Sequence, residues 1–487
     1  MTLQTRNTIL RWLLAIFSLW IVLWVYRVLT NIGQPQMEYS EGLLLYTAKL
    51  FVTGKFSWTL STAAPFNVAF YTPIGTYILG WVCQIFGYTF VVGRLLNLVY
   101  MAGILGMVYL IVKHETKDNL VSWIAAVLPM TAVTMIAWSF LIRVDMLGLF
   151  FELVGVYVAL KNIKNTKILW SVPFFLLAFY TKQNYLAGAA AVFVYLLVKR
   201  SPRALPFAGL FITLFGIIFL SVNIATHNGF FREIILYQRT SPALQNPLTA
   251  IITVLSVLAI YLPIVVMAAV WLNKKSVQTL LGIYAVSALV INGFTYFHIG
   301  GGFNYMEETI VALSILSGLW IASADLSKEK IQTVLIATVI FTVVMFYMAV
   351  GGKMGSYYPG KEYAAQTATA ETIIADDTYP ILTENFGIVF MAGKVPYYDS
   401  FVFDNMAHTG QFDESVVLND LTSHRIEYVI TTKLLGGSDS TTRFDDSITQ
   451  DVLANYHIVY EAVTGGGNKQ QVKGTQFNFI IYKVNGE

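Results

Sequence analysis

Residues 36–56 read "QMEYSEGLLLYTAKLFVTGKF". They follow the first long apolar run and place two carboxylates, Glu38 and Glu41, where the chain leaves that run. The apolar piece behind them is too weak to cross a bilayer again. A plain connection would need neither acid. If residues 38–49 are helical, Glu38, Glu41, Leu45 and Lys49 fall within about 80° of arc, so both acids and a lysine share one face. That face can look into a cavity at the membrane edge while Leu43, Leu44 and Phe51 rest on lipid or protein. The stretch therefore reads as an interfacial helix that holds acids over a site.

The rest of the chain agrees with a membrane setting. Of 487 residues, 56% are hydrophobic and only 12% charged, against about a quarter charged in soluble domains. The net charge of +3 is small and scattered, which argues against nucleic acid as a partner. A single cysteine, Cys83, excludes an intramolecular disulfide framework, and six dispersed histidines offer no zinc motif.

Taking about 20 apolar residues per span, helices are expected near 8–28, 91–112, 120–138, 144–160, 168–182, 185–199, 205–225, 248–271, 277–296, 305–324 and 331–351. The expected fold is thus an α-helical membrane bundle of about 11 spans, with a long first outer loop carrying interfacial helices. The loops "KHETKDN", "KNIKNTK", "KRSPR", "NKK" and "DLSKEK", with Arg6 and Arg11, hold fourteen Lys and Arg. The positive-inside rule puts them, and the N-terminus, in the cytoplasm. An odd number of spans leaves residues 353–487 outside, as a small α/β domain beyond the membrane domain 1–352. Its expected strands are "YPILTEN", "EYVITT", "HIVYEAV" and "FNFIIYKV"; its expected helices are "DESVVLNDLTSH" and "DDSITQDVLANY".

Charges inside spans cost about 2.5–3.5 kcal/mol at a helix centre, less near an interface. Here they gather at the outer ends: Glu38 and Glu41, Arg94 in "GRLLNLV", Arg143 and Asp145 in "LIRVDMLGLF", Lys182 in "FYTKQNYL", and His298, Asn304, Glu307 and Glu308 in "FHIGGGFNYMEE". Each has a bland reading: a snorkelling anchor for Arg94, a helix C-cap for Lys182, a solvated loop end for the two glutamates, a flexible turn for the glycine run. Arg143 and Asp145 are two apart and would not face each other on a helix. What the bland readings leave unexplained is convergence from five connections onto one surface.

The order of these pieces, "EG…A…L…G", "YTP", "GRLLNLV", "RVD", "TKQ" and "NYMEE", resembles the GT-C superfamily of membrane glycosyltransferases over about residues 38–310. Within it the likeness is to the aminoarabinose transferase and RgtA–D-like branch (family 39/83-like), related to the protein O-mannosyltransferases. The resemblance implies transfer of a sugar from a polyprenyl-phosphate donor to a lipid, polysaccharide or protein acceptor at the outer face. It implies an acidic catalytic residue in the first outer loop. Many members carry an Asp directly before the Glu-Gly pair, where this chain has Ser40, so Glu41 or Glu38 would do that work, with Asp145 as the second acid. Arg94, Arg143 and Lys182 would lie near the donor phosphate. Lys49, Tyr71, Gln183, His298, Asn304, Tyr305 and Glu307 are the expected substrate contacts.

The residue types suit that chemistry. A polyprenyl-phosphate sugar already carries its leaving group, so a carboxylate to take the acceptor proton and cations to balance the departing phosphate suffice. No cofactor is expected. Some members of the superfamily use a divalent cation, but this chain shows no compact ligand motif, and metal-free transfer is favoured. The competing readings are a transporter and a non-enzymatic surface receptor or assembly factor. A transporter is disfavoured by the absence of an internal repeat and by charges lying at one end of the spans. Missing disulfides and retention signals favour a bacterial inner membrane.

Overall fold

The computed structural model describes every residue except 1, 239–246, 276, 297–301, 352–358, 360, 437–442, 463–477 and 487. Among the described residues, four helices are long and apolar enough to cross a bilayer: Gln4–Asn31, Phe90–Thr116, Ala204–Ala225 and Phe303–Ser323. Ala204–Ala225 has only 6% of its apolar window buried, against 89% for Phe303–Ser323. The latter is therefore an inner helix of the bundle. The former turns Leu205, Ile212, Ile217, Leu220 and Ile224 outward, an apolar surface that only lipid covers at such length. The chain is an integral membrane protein.

The other expected spans are shorter or broken, and the helix lengths alone do not return eleven. The stretch 120–138 is an α-helix only to Val127. Pro129 then opens the 3₁₀ turn Leu128–Thr131, and a new short helix starts at Val133. The stretch 248–271 splits into Val254–Ile260 and Leu262–Lys274, bent by 95°. Pro263 sits just after the break, where its missing N–H cannot continue the ladder. Shorter apolar helices such as Thr166–Thr181, Ala187–Val198 and Leu280–Tyr296 complete the bundle.

Between the first long helix and Phe90–Thr116 lie the two helices of the long loop, Tyr39–Val52 and Pro73–Phe86. Glu38 is the N-cap of the first, its carboxylate accepting from the Ser40 amide at 2.9 Å. That satisfies a donor the helix start leaves open.

The C-terminal part carries a four-stranded sheet: β1 (Leu382–Thr383), β2 (Tyr428–Thr431), β3 (Tyr456–Ala462) and β4 (Phe479–Val484). The order is β1-β2-β4-β3, with β1 parallel to β2 and the other pairs antiparallel. The four strands fall on the four expected segments. Helices Ser415–Thr422 and Asp446–Asn455 fall on the two expected ones, while Lys361–Ile373, Phe386–Met391 and Ser400–His408 are additional. The expected boundary at residue 353 lies outside the described residues.

This unit is packed into the long loop rather than tethered to it. Phe66 and Val68 of the loop share one apolar cluster with Leu382, Tyr397, Phe403 and Val429, and the Phe66 amide donates to the Tyr397 carbonyl at 2.8 Å. Gln36 Oε1 accepts from the amides of both Gly42 (3.1 Å) and Gly387 (2.7 Å). A Cβ on Gly42 would lie 2.4 Å from the Gly387 nitrogen, so the glycine of the Glu-Gly pair is what lets the two backbones meet.

Candidate active site

The two glutamates of the opening stretch diverge. Glu41 is fully buried and takes Arg94 Nε at 2.9 Å and Nη2 at 2.7 Å, a bidentate pair. It also accepts from the amides of Met37 (2.8 Å) and Ile142 (3.1 Å). Arg94 spends its other donors on the carbonyls of Ile32, Gln34 and Pro35. All five of its N–H groups are then used, and the pair fixes the turn that leads into the loop helix.

Glu38 goes the other way. Arg143 Nη1 donates to Glu38 Oε2 at 3.0 Å and to Ser40 Oγ at 2.9 Å, and Nη2 donates to the Tyr71 hydroxyl at 3.1 Å. Arg143 Nε reaches Asp145 Oδ2 at 3.1 Å. This contact corrects the expectation that neighbours two apart would not pair. The helix begins at Asp145, so Arg143 sits before it, in backbone free to fold back. Asp145 Oδ1 accepts from Lys182 Nζ at 2.6 Å and from Asn304 Nδ2 at 2.7 Å, and Lys182 lies 4.3 Å from the Tyr305 ring centroid. Three separate segments thus meet in one network running Glu38–Arg143–Asp145–Lys182, with Tyr71 and Asn304 joining it from two more.

The expected shared face of Glu38, Glu41, Leu45 and Lys49 does not form. As N-cap, Glu38 lies off the helical arc, and Glu41 is held by Arg94. Leu45 is fully buried. Lys49 lies over the rings of Tyr88 (5.8 Å) and Phe390 (5.6 Å).

A cleft opens beside this network. From the membrane part it is lined by Glu38, Ser40, Tyr71, Arg143, Asn304 and Tyr305, and from the C-terminal unit by Asp399, Phe401 and Arg443. Leu43, expected against lipid or protein, also lines it. Asp145 and Lys182 stand just behind the wall. Arg143 keeps one N–H and Lys182 two beyond the described bonds. Burial pushes the Tyr71 phenol up, so its O–H stays available to donate.

Arg94, Glu41, Lys49 and Gln183 are not among the residues lining the cleft. Glu307 is fully buried behind it, both carboxylate oxygens lacking a hydrogen-bond partner among the described residues. His298 lies outside the described residues. Tyr39, Trp138, Asp399, Phe401 and Arg443 also line the cleft and were missed in the sequence. Tyr39 and Trp138 flank the acidic and basic motifs and could have been found by proximity. The C-terminal three carry no such signal. Among the described residues no three His, Cys, Asp or Glu side chains are placed to hold a metal.

No family model matches the chain, and no curated protein sequence does. The fold has counterparts among solved structures. ArnT from Cupriavidus metallidurans in the apo state is 11% identical, with a TM-score of 0.59 over 96% of this chain and 98% of that one. The same protein bound to undecaprenyl phosphate is 12% identical, with a TM-score of 0.58 over 97% of each chain. Over nearly its whole length, the chain has the fold of ArnT.

Proposed function

We propose that the protein transfers a sugar from a polyprenyl-phosphate donor to a lipid, glycan or protein acceptor at the extracytoplasmic face, with inversion, in a bacterial inner membrane. The observation that carries this reading is the Glu38–Arg143–Asp145–Lys182 network beside an aromatic-walled cleft, in a fold whose relative ArnT is seen with undecaprenyl phosphate.

In this reading Glu38 is the base. It takes the proton of the acceptor hydroxyl as that oxygen attacks the anomeric carbon. The bond from the anomeric carbon to the phosphate oxygen breaks, and the electron pair leaves with the polyprenyl phosphate. Arg143 faces that phosphate and Lys182 backs it, their unspent N–H groups meeting the growing charge where water is largely excluded. Asp145 positions both cations. Tyr71, Asn304 and Tyr305 supply hydrogen bonds and an apolar face for the sugar. Two cations with free donors suffice for a leaving phosphate, so the reaction runs without a divalent metal.

The test is release of free undecaprenyl phosphate from an undecaprenyl-phosphate sugar by purified protein in liposomes containing membrane lipid acceptors. A transporter or receptor would release none. Turnover that persists in excess chelator supports the metal-free route, and its abolition overturns that route. Lys182→Ala should abolish release in folded protein; unchanged turnover would remove Lys182 from its assigned place.

A further inference from the structure

The membrane side of the cleft is electrically balanced: Arg143 and Lys182 stand against Glu38 and Asp145. Arg94 is spent on Glu41. A phosphodiester brings one negative charge into this set and leaves as a phosphate carrying more. The C-terminal unit adds one acid and one cation to the cleft, Asp399 and Arg443, and the acid is already engaged by the Tyr39 hydroxyl and two helix amides. Arg443 lines the cleft with its guanidinium carbon 3.6 Å from the Tyr39 ring centroid. Among the described residues it forms no ion pair.

Arg443 is also held in place. Glu384, buried just after β1, accepts from the Arg443 amide at 2.7 Å with one oxygen. With the other it accepts from the Thr432 amide and hydroxyl at 2.7 and 2.8 Å. Its carboxylate thus ties the Arg443 backbone to the end of β2. Below the guanidinium, Tyr39 is fixed by donating its hydroxyl to Asp399 at 2.6 Å. Asp399 is itself committed as the N-cap of Ser400–His408, accepting from the Phe401 and Val402 amides. A stacked guanidinium keeps its N–H fork in one plane and ready for a bidentate oxyanion.

We infer that Arg443, stacked on Tyr39 and positioned by Glu384, is an oxyanion-binding residue through which the C-terminal unit completes the substrate site. The ligand is a phosphate-type group, either the donor phosphate or an anionic group on the acceptor. Its identification with the donor rests on the glycosyl-transfer reading. The geometry of Arg443 does not.

The experiment uses full-length protein in nanodiscs and three probes: undecaprenyl phosphate, undecaprenol and inorganic phosphate. Arg443→Gln should weaken a phosphate-bearing probe by about tenfold or more while leaving undecaprenol unchanged. Glu384→Gln should give a smaller loss in the same direction, and Arg443→Lys should fall between wild type and Arg443→Gln. Loss on undecaprenyl phosphate assigns the seat to the donor. Loss confined to inorganic phosphate assigns it to the acceptor. Wild-type protein that binds inorganic phosphate through Arg443 but ignores undecaprenyl phosphate would sink the donor reading and leave this inference standing. Unchanged binding of both phosphate probes, or an equal loss on undecaprenol, overturns it.

Discussion

Glu38 and Glu41 stand three residues apart and each meets an arginine, yet the two regions they build differ in kind. The Glu41–Arg94 pair is saturated: every guanidinium N–H has an acceptor, and the carboxylate takes four donors. It is sealed from the cleft and pins the loop to the bundle. The Glu38 network is unsaturated, touches the cleft, and leaves donors on Arg143 and Lys182 without hydrogen-bond partners among the described residues. Buried charge by itself therefore does not mark a reactive group. Whether its hydrogen-bonding capacity is used up does.

The largest effect that sharpens this contrast is on turnover. Glu38→Gln keeps shape and most hydrogen bonds but cannot take a proton, and should lower release of undecaprenyl phosphate by roughly 10²–10⁴-fold with little change in thermal unfolding. Next comes stability. Arg94→Ala strands a buried carboxylate, which costs about 3–5 kcal/mol, so the variant should show a sharply lower unfolding temperature and yield of monodisperse protein. Full stability in Arg94→Ala would break the comparison.

A smaller effect concerns Glu233, buried beside the loop and accepting from the Ala69 amide at 2.8 Å. Burial pushes its carboxyl up to about 8, above the ordinary value of about 4.3. A raised carboxyl favours the neutral form in the fold. Its penalty therefore begins as pH climbs past the unfolded value and is complete above the folded one. Glu233→Gln should unfold at nearly the wild-type temperature at pH 5 and at a higher one at pH 9. A pH-independent gap would contradict this. The smallest effect is at Lys49, over Tyr88 and Phe390: Lys49→Met should leave turnover within about twofold, the scale of a modest surface change. Loss of turnover there would reopen the one-face reading of the loop helix.

Much of the architecture was legible because a membrane makes charge conspicuous. Arg143, Asp145, Lys182 and Asn304 stand at the ends of apolar runs, and the fold brings these four together. What could not be read was who pairs with whom. Whether Arg143 meets Asp145 depends on a helix starting two residues later, inside the usual uncertainty of helix ends. Glu38 and Glu41 looked equivalent because N-capping takes one of them off the helical arc. Span lengths failed where Pro129 and Pro263 cut apolar runs that composition alone treats as continuous. Asp399 and Arg443 were invisible for the opposite reason to Arg143: in a polar stretch of sequence a charge is ordinary, so nothing singles it out until the fold places it beside Tyr39.

The account turns on which glutamate takes the proton. The direct measurement is single-turnover release of undecaprenyl phosphate, per folded molecule, by Glu38→Gln and Glu41→Gln proteins side by side. The account predicts a silent Glu38→Gln and a less stable but active Glu41→Gln. Activity in Glu38→Gln with silence in folded Glu41→Gln would contradict it.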